Sequence, residues 1–290
     1  MEWFIYALLA AVFASIGGLI NKKILFHEHV LEFTASRSLF FVFFALFLIP
    51  FVDFSISWKI YVLIYFVSLL VTGGIIYFLK SIRHGELSSM TPLTNISPLF
   101  LLIIAYFVLG ETPTPKQYFG VFLLILGAYS LEVGITDRGF LEPIKVFLKS
   151  KIIHYMLFSL VIFSITATFD KLIITNHTNF VTYLFLLTMF KSINFVSLEA
   201  YRFGFSEIMH DFKKDFKLLF SDSIFLFFGQ LSYFFAVSFP NAFISLIIPI
   251  KRTSTLFTTI FGGKLFHEKN LLVKVLACII MIWGAVFILL

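Results

Sequence analysis

Long apolar stretches alternate with short polar ones along this chain, and within the apolar stretches there is no period-two pattern. A membrane-crossing helix needs about 20 apolar residues, or about 17 where neighbours share the load. Ten stretches qualify: 3–21, 32–50, 59–79, 91–109, 117–133, 152–170, 180–198, 218–239, 242–263 and 271–290. Hydrocarbon offers no partner to a backbone N–H or C=O, so each stretch is predicted to be a helix. The longest polar gap, Glu132 to Lys151, parts five stretches from five. It predicts two five-helix units, 1–135 and 152–290, joined by a loop at 136–151. A second gap, Glu199 to Lys217, mixes Phe203, Phe205, Ile208, Met209 and Phe212 with charges, and reads either as an interfacial helix or as an ordinary solvated loop.

The two units repeat one another. A shift of 157 positions places Ser88 on Ser245, Pro92 on Pro249, Ser97 on Ser254, Glu111 on Glu268, and Gly127-Ala128 on Gly284-Ala285. Chance in an apolar chain supplies Leu and Phe matches, but not a proline, a glutamate and a Gly-Ala pair in one register. Near the ends of the first and sixth stretches, Asn21-Lys22 falls on Asp170-Lys171 at a shift of 149, so loops have changed length between the copies. An odd number of spans per unit forces the two units to cross the membrane in opposite senses. The expected fold is therefore an all-α membrane protein of ten transmembrane helices, arranged as two inverted five-helix repeats.

Composition supports this and narrows the partners. The chain is 60% apolar and 13% charged, with a mean hydropathy of +0.99, outside the range of soluble domains. Its pI near 9.3 comes from short basic clusters, which suit an anionic lipid face; no nucleic-acid signature is present. The expected partners are the lipid bilayer and a small-molecule substrate. Fifteen Lys and Arg residues lie in loops after odd-numbered stretches, against Lys59, Lys116 and Lys171 on the other side. By the positive-inside rule, that bias puts both termini outside a plasma or inner membrane. The first stretch lacks a basic leader and a small-residue cleavage site, and reads as a retained span. The single cysteine, Cys278, offers no disulfide within the chain.

The remaining four cations fall inside predicted spans: Arg37, Lys191, Lys251 and Arg252. Each costs about 2.5–3.5 kcal/mol near the bilayer centre on insertion scales, so each should face the protein interior or a water-filled cavity. They favour an anionic or zwitterionic cargo. For Arg37 and Lys191 the competing reading is snorkelling or helix capping. Lys251-Arg252 follows Pro249, as Thr94-Asn95 follows Pro92, and proline-interrupted helices in matched positions point to a mid-membrane site. Thr255 and Gln230 are further candidates for hydrogen bonds to cargo, against ordinary interhelical packing. Pro92, Pro98, Pro249, Glu111 and Glu268 are read as structural or gating positions. The two glutamates sit in matched loops, where a carboxylate caps a helix or carries a proton. No metal-ligand spacing, nucleophile motif, phosphate loop or buried carboxylate pair is apparent, so no cofactor, metal site or catalytic residue is expected, and the chain is not read as an enzyme.

Ten spans, an inverted five-plus-five repeat, and a Pro-bearing helix followed by Gly-Glu, a short loop and a Gly-bearing helix resemble the drug/metabolite transporter superfamily, in particular its EamA-like members. The most specific parts are Pro98 to Gly127 and Pro249 to Gly284, with KRTSTLFTTIFGGKLFHE similar to the second-half family segment. Arg37 also sits where many members carry an arginine. The resemblance implies a ten-helix basket whose central cavity, formed largely by helices three, four, eight and nine, opens to alternate sides. It implies export of amino acids, drugs or other metabolites, or exchange of sugar conjugates and phosphates. Two departures stand out. The related small multidrug resistance proteins use a glutamate within their first helix to couple protons to cations, whereas here the acid of that segment is Glu2, at its start. EamA-type bacterial members also usually keep both termini in the cytoplasm.

The expected function is a secondary transporter, an exporter of a small anionic or zwitterionic, amino-acid-like metabolite. The alternatives are cation or multidrug efflux by the same fold, or a non-transporting partner or sensor subunit. An inverted repeat supplies within one chain the pairing that a dual-topology dimer needs two chains to make, so a monomer suffices and a dimer stays open. On the charge count, a side-specific reporter fused to the C-terminus is expected to signal from the non-cytoplasmic side. A cytoplasmic signal would show that the family's habit overrides the count.

Overall fold

The structure, a computed structural model, describes residues 2–24, 30–84, 94–133, 151–204, 212, 216–254 and 271–290. Among them are ten α-helices, one 3-10 turn at Ile49–Phe51, and no strand. The helices are α1 (Glu2–Ile24), α2 (Val30–Leu46), α3 (Trp58–His84), α4 (Ser97–Leu109), α5 (Pro115–Val133), α6 (Lys151–Asn176), α7 (Phe180–Phe203), α8 (Phe216–Ser238), α9 (Ile244–Arg252) and α10 (Leu271–Leu289). Every predicted stretch contains one helix. Two of the stretches show an interruption among their described residues, and both are informative.

In stretch 91–109, α4 starts at Ser97, with Pro98 in its first turn, where its missing N–H removes no helical bond. Just before it the backbone turns at Asn95 and Ile96. Stretch 242–263 yields α9, interrupted at Thr253, with Pro249 inside it removing the donor for the Ser245 carbonyl. Under the 157-position shift, Arg252 and Thr253 coincide with Asn95 and Ile96, so the two interruptions fall at the same place in the repeat. At its other end α4 stops on Gly110, whose φ of 66° is open to glycine at little cost.

The distribution of polarity is that of a protein in lipid. Phe43, Phe66, Ile103, Phe107, Phe122 and Trp283 are exposed, whereas Ser68, Thr72, Thr168, Asp170, Lys191 and Asp222 are buried. Five helical stretches are each long and apolar enough to cross a membrane: Glu2–Ile20, Trp58–Ser81, Lys151–Asn176, Phe180–Arg202 and Phe216–Ser238. This is a multi-pass membrane protein. Outside the spans, the Ser55 hydroxyl and amide hold the Asp53 carboxyl below its ordinary range, and the Asp53 N–H donates to Thr182 Oγ1 at 2.8 Å. That bond ties the α2–α3 loop to the start of α7.

Helix packing pairs the two halves. The most extensive contacts are α5 with α10, α1 with α8, α3 with α6, α2 with α7, α3 with α7, α4 with α6, α1 with α9 and α2 with α8. Exchanging α1–α5 for α6–α10 turns each of these pairs into another of the set or into itself. Between α5 and α10 the backbones nearly touch: a Cβ on Gly120 would lie 2.7 Å from the Gly284 carbonyl oxygen, and one on Gly284 would lie 2.8 Å from that of Gly120. Neither oxygen can move away without unwinding its helix. Small residues of this kind let helices associate in lipid, where no hydrophobic effect drives them together. Gly284→Val is therefore expected to destabilise the protein by about 1–3 kcal/mol. The measurement is thermal unfolding in detergent, where an unchanged midpoint would show that the contact is dispensable.

Candidate functional site

The interruptions bring polar groups to the centre of the bundle. Asn95 and Pro98 at the start of α4 and Pro249 and Arg252 on α9 line one small void, of about 10 Å³, closed on its far side by Leu124, Ile125 and Ala128 of α5 and Met281 of α10. That is room for about one water. Arg252 Nε–H donates to Ser97 Oγ at 3.2 Å, joining the end of α9 to the first turn of α4. Asn95 is 1% exposed, and neither amide atom of its side chain has a hydrogen-bond partner among the described residues. Thr94, beside it, is also buried. At the end of α9, Lys251 and Arg252 sit where a helix dipole favours positive charge, and the N-terminus of α4 presents its positive end nearby.

Two further layers of charge lie along α2, α6, α7 and α8. Arg37 forms an ion pair with Asp222 of α8 at 3.5 Å, its guanidinium 4.7 Å from the centre of the Phe33 ring and 5.9 Å from that of Phe41. Lys191 Nζ lies 5.1 Å from the centre of the same Phe41 ring, so one aromatic separates two cations. Asp170 on α6 accepts from the Tyr183 hydroxyl at one oxygen and from the Tyr233 hydroxyl at the other, the latter at 3.1 Å. Lys251 Nζ sits 4.1 Å above the Tyr233 ring. A cation over a desolvated aromatic face is held at about 2 kcal/mol. Lys191 is within electrostatic reach of Arg37, Asp170 and Lys251, and Lys251 of Arg252 and Asp170, so the four predicted cations form one connected group.

The arrangement answers the snorkelling alternative for two of them. Lys191 is 8% exposed, and the Arg37 side chain is 15% exposed with its counter-ion fully buried. Both turn inward. Gln230 lies half-buried on α8, three positions before Tyr233. Pro92, Thr255 and Glu268 lie outside the described residues.

Several residues of this region were not among the sequence candidates. Asp170 is read from the sequence only for its place at the end of the sixth stretch, and Asp222 and Tyr183 draw no reading there. Both aspartates are buried inside helices. The available signal was simple: Asp222 interrupts the eighth apolar stretch as Arg37 interrupts the second, and opposite charges in two spans are each other's natural partners. Asn194 bonds outward to α3, donating to Ser68 Oγ at 3.1 Å, and serves helix packing.

Glu111 stands apart from this centre. Its carboxylate accepts from the Ile244 N–H at 2.7 Å, the Ser245 N–H at 3.0 Å and the Ser245 hydroxyl at 2.5 Å, capping the first turn of α9 from the opposite half. On the other side of the same turn, Lys171 Nζ donates to the Val237 and Phe239 carbonyls at 2.9 and 2.6 Å, closing the end of α8. Each charge has the sign its helix terminus favours.

Residues 1–132 match the EamA-like transporter family. An uncharacterized transporter of Synechocystis sp. is 33% identical over 132 residues, covering 42% of this chain and 37% of that relative's length. A solved crystal structure of a protein aligns with a TM-score of 0.73 at 13% identity, over 100% of this chain and 99% of that one, which shows the fold alone. The fold is that of a multi-pass α-helical membrane protein, and its first half, residues 1–132, is similar to the EamA-like transporter family.

With Glu111 replaced by alanine, buried donors at the head of α9 lose their acceptor, each at about 1–3 kcal/mol. Glu111→Ala is expected to lower the unfolding midpoint clearly, and Ser245→Ala, which deletes one of the three donors, to lower it less. Equal midpoints for the two variants would show that the carboxylate is not what holds this turn.

Proposed function

We propose that the protein is a secondary transporter for a small anionic or zwitterionic, amino-acid-like metabolite, working by alternating access between two inverted five-helix halves. The observation that carries the reading is the meeting of α4 and α9. Two helices interrupted at matched positions face one void, with Asn95 unpartnered in its wall and Arg252 beside it. Around it the buried Lys191 and the partly buried Arg37, Lys251 and Arg252 stand with the buried carboxylates of Asp170 and Asp222, an excess of positive charge that an anionic cargo would relieve. In this reading Arg37, Lys191, Lys251 and Arg252 supply charge, while Thr94, Asn95, Gln230 and Thr255 supply hydrogen bonds.

The exchange of packed pairs between halves supports the repeat. So does a matched close approach: a Cβ on Gly74 of α3 would meet Ile162 and Phe163 of α6, and one on Gly229 of α8 would meet Phe13 and the Ala14 nitrogen of α1. At the 149-position shift, Phe13 and Ala14 fall on Ile162 and Phe163. The unit boundaries stay as read from the sequence, 1–135 and 152–290. Export follows the habit of the family, outward termini follow the loop charges, and one chain suffices because it holds both halves.

Cation efflux is the competing reading, and the two buried carboxylates are the groups it would use. Both are occupied, Asp222 by Arg37 and Asp170 by two tyrosines, so they offer a cation less than the lysines offer an anion.

The test is thermal stabilisation of the purified protein by amino acids, organic acids, phosphates and cationic drugs, followed by flux in proteoliposomes. Anions or zwitterions are expected to stabilise. Lys251→Ala and Arg252→Ala should each cut flux about tenfold or more while the protein stays folded. Stabilisation by cations alone, or full flux in both variants, overturns the assignment.

A further inference from the structure

Asp170 and Asp222 are both buried acids, yet they are held differently. Asp222 faces a cation directly, and without its charge Arg37 would be left uncompensated. Asp170 touches no cation. Its two oxygens are filled by neutral tyrosine hydroxyls, while Lys191 and Lys251 act on it only through space. Among the described residues neither lysine ammonium has an oxygen acceptor within hydrogen-bond distance; both rest on aromatic rings. Asp170 therefore balances the two lysines by proximity and leaves their N–H donors available.

We propose that Asp170 is a proton-binding site coupled to anion binding, so that the carrier takes up one proton together with its anionic cargo. The proposal rests on the anion-transport reading above. An anion on Lys191 and Lys251 places a second negative charge beside the Asp170 carboxylate in a space of low dielectric. Protonation removes that repulsion. One O–H bond forms, between a solvent proton and a carboxylate oxygen, and no covalent bond breaks. The tyrosine at that oxygen turns its own proton away and accepts from the new O–H, as a hydroxyl can do either. A tyrosine hydroxyl can thus partner either the ionised or the neutral acid, which an arginine, a donor only, cannot.

The groups facing Asp170 are Tyr183 and Lys191 from α7, Tyr233 from α8, and Lys251 from α9. On α6 itself Lys171 is turned to the carbonyls at the end of α8. The other helices packed on α6, α3 and α4, bring no charged group to it among the described residues.

Two measurements decide the matter. The first needs no cargo: infrared difference spectra of the reconstituted protein, taken as pH is lowered, should show a carboxylic-acid carbonyl band that Asp170→Asn removes. Its absence while the protein remains folded overturns the proton site. The second uses succinate and inorganic phosphate as probes in weakly buffered solution. Binding of either should raise the pH by proton uptake in the wild type and not in Asp170→Asn. The variant should bind the probe on the order of tenfold more tightly than wild type at high pH, and equally at low pH. Probe binding without proton uptake in the wild type overturns the coupling while leaving anion transport standing. Failure of both probes to bind counts against the transport reading, and the infrared result still decides the proton site.

Discussion

Charge inside hydrocarbon has to be answered from within the protein, and that constraint shapes the middle of this bundle. Around Arg37, Lys191 and Lys251 the protein supplies aromatic faces, one ion pair and one carboxylate set among hydroxyls. These devices differ in how firmly they bind. Arg37 and Asp222 are committed to one another. The lysines are stabilised by ring quadrupoles, which a stronger acceptor can outcompete. Cations held this way keep N–H donors to offer.

The same constraint explains why the helices break where they do. An interruption in lipid exposes backbone groups, so it is tolerated only against protein or a cavity. Both interruptions fall at the interface of α4 and α9, shielded by α5 and α10. The unequal chemistry of the two copies follows: α4 brings a neutral amide to the void and α9 a guanidinium, so the halves share a scaffold but not a surface.

Helix positions were legible in the sequence, because hydropathy acts over a few neighbouring residues. The four cations were legible for the same reason, since a charge in an apolar run needs a purpose. Their partners were not. Asp170 lies near the end of its apolar run, and only the fold shows that α6 continues to Asn176 and carries it inside. Tyr183 looks like any aromatic in a span until Asp170 is placed beside it. Capping was one reading of Glu111, yet nothing local shows that the helix it caps begins 133 positions away. Pairings across the two halves depend on topology, and local pattern carries no record of it.

The approach of Gly120 and Gly284 has a mechanical meaning. With no side chain on either glycine the two backbones meet directly, and the Ile288 and Leu124 side chains pack beside the contact. Helices this close have no slack in which to slide, because each backbone blocks the other. The crossing is thus a fixed point of the bundle. Any motion of one half against the other would have to leave it in place, and Arg37 and Lys191 lie on α2 and α7, which are not among the helices packed most extensively on it.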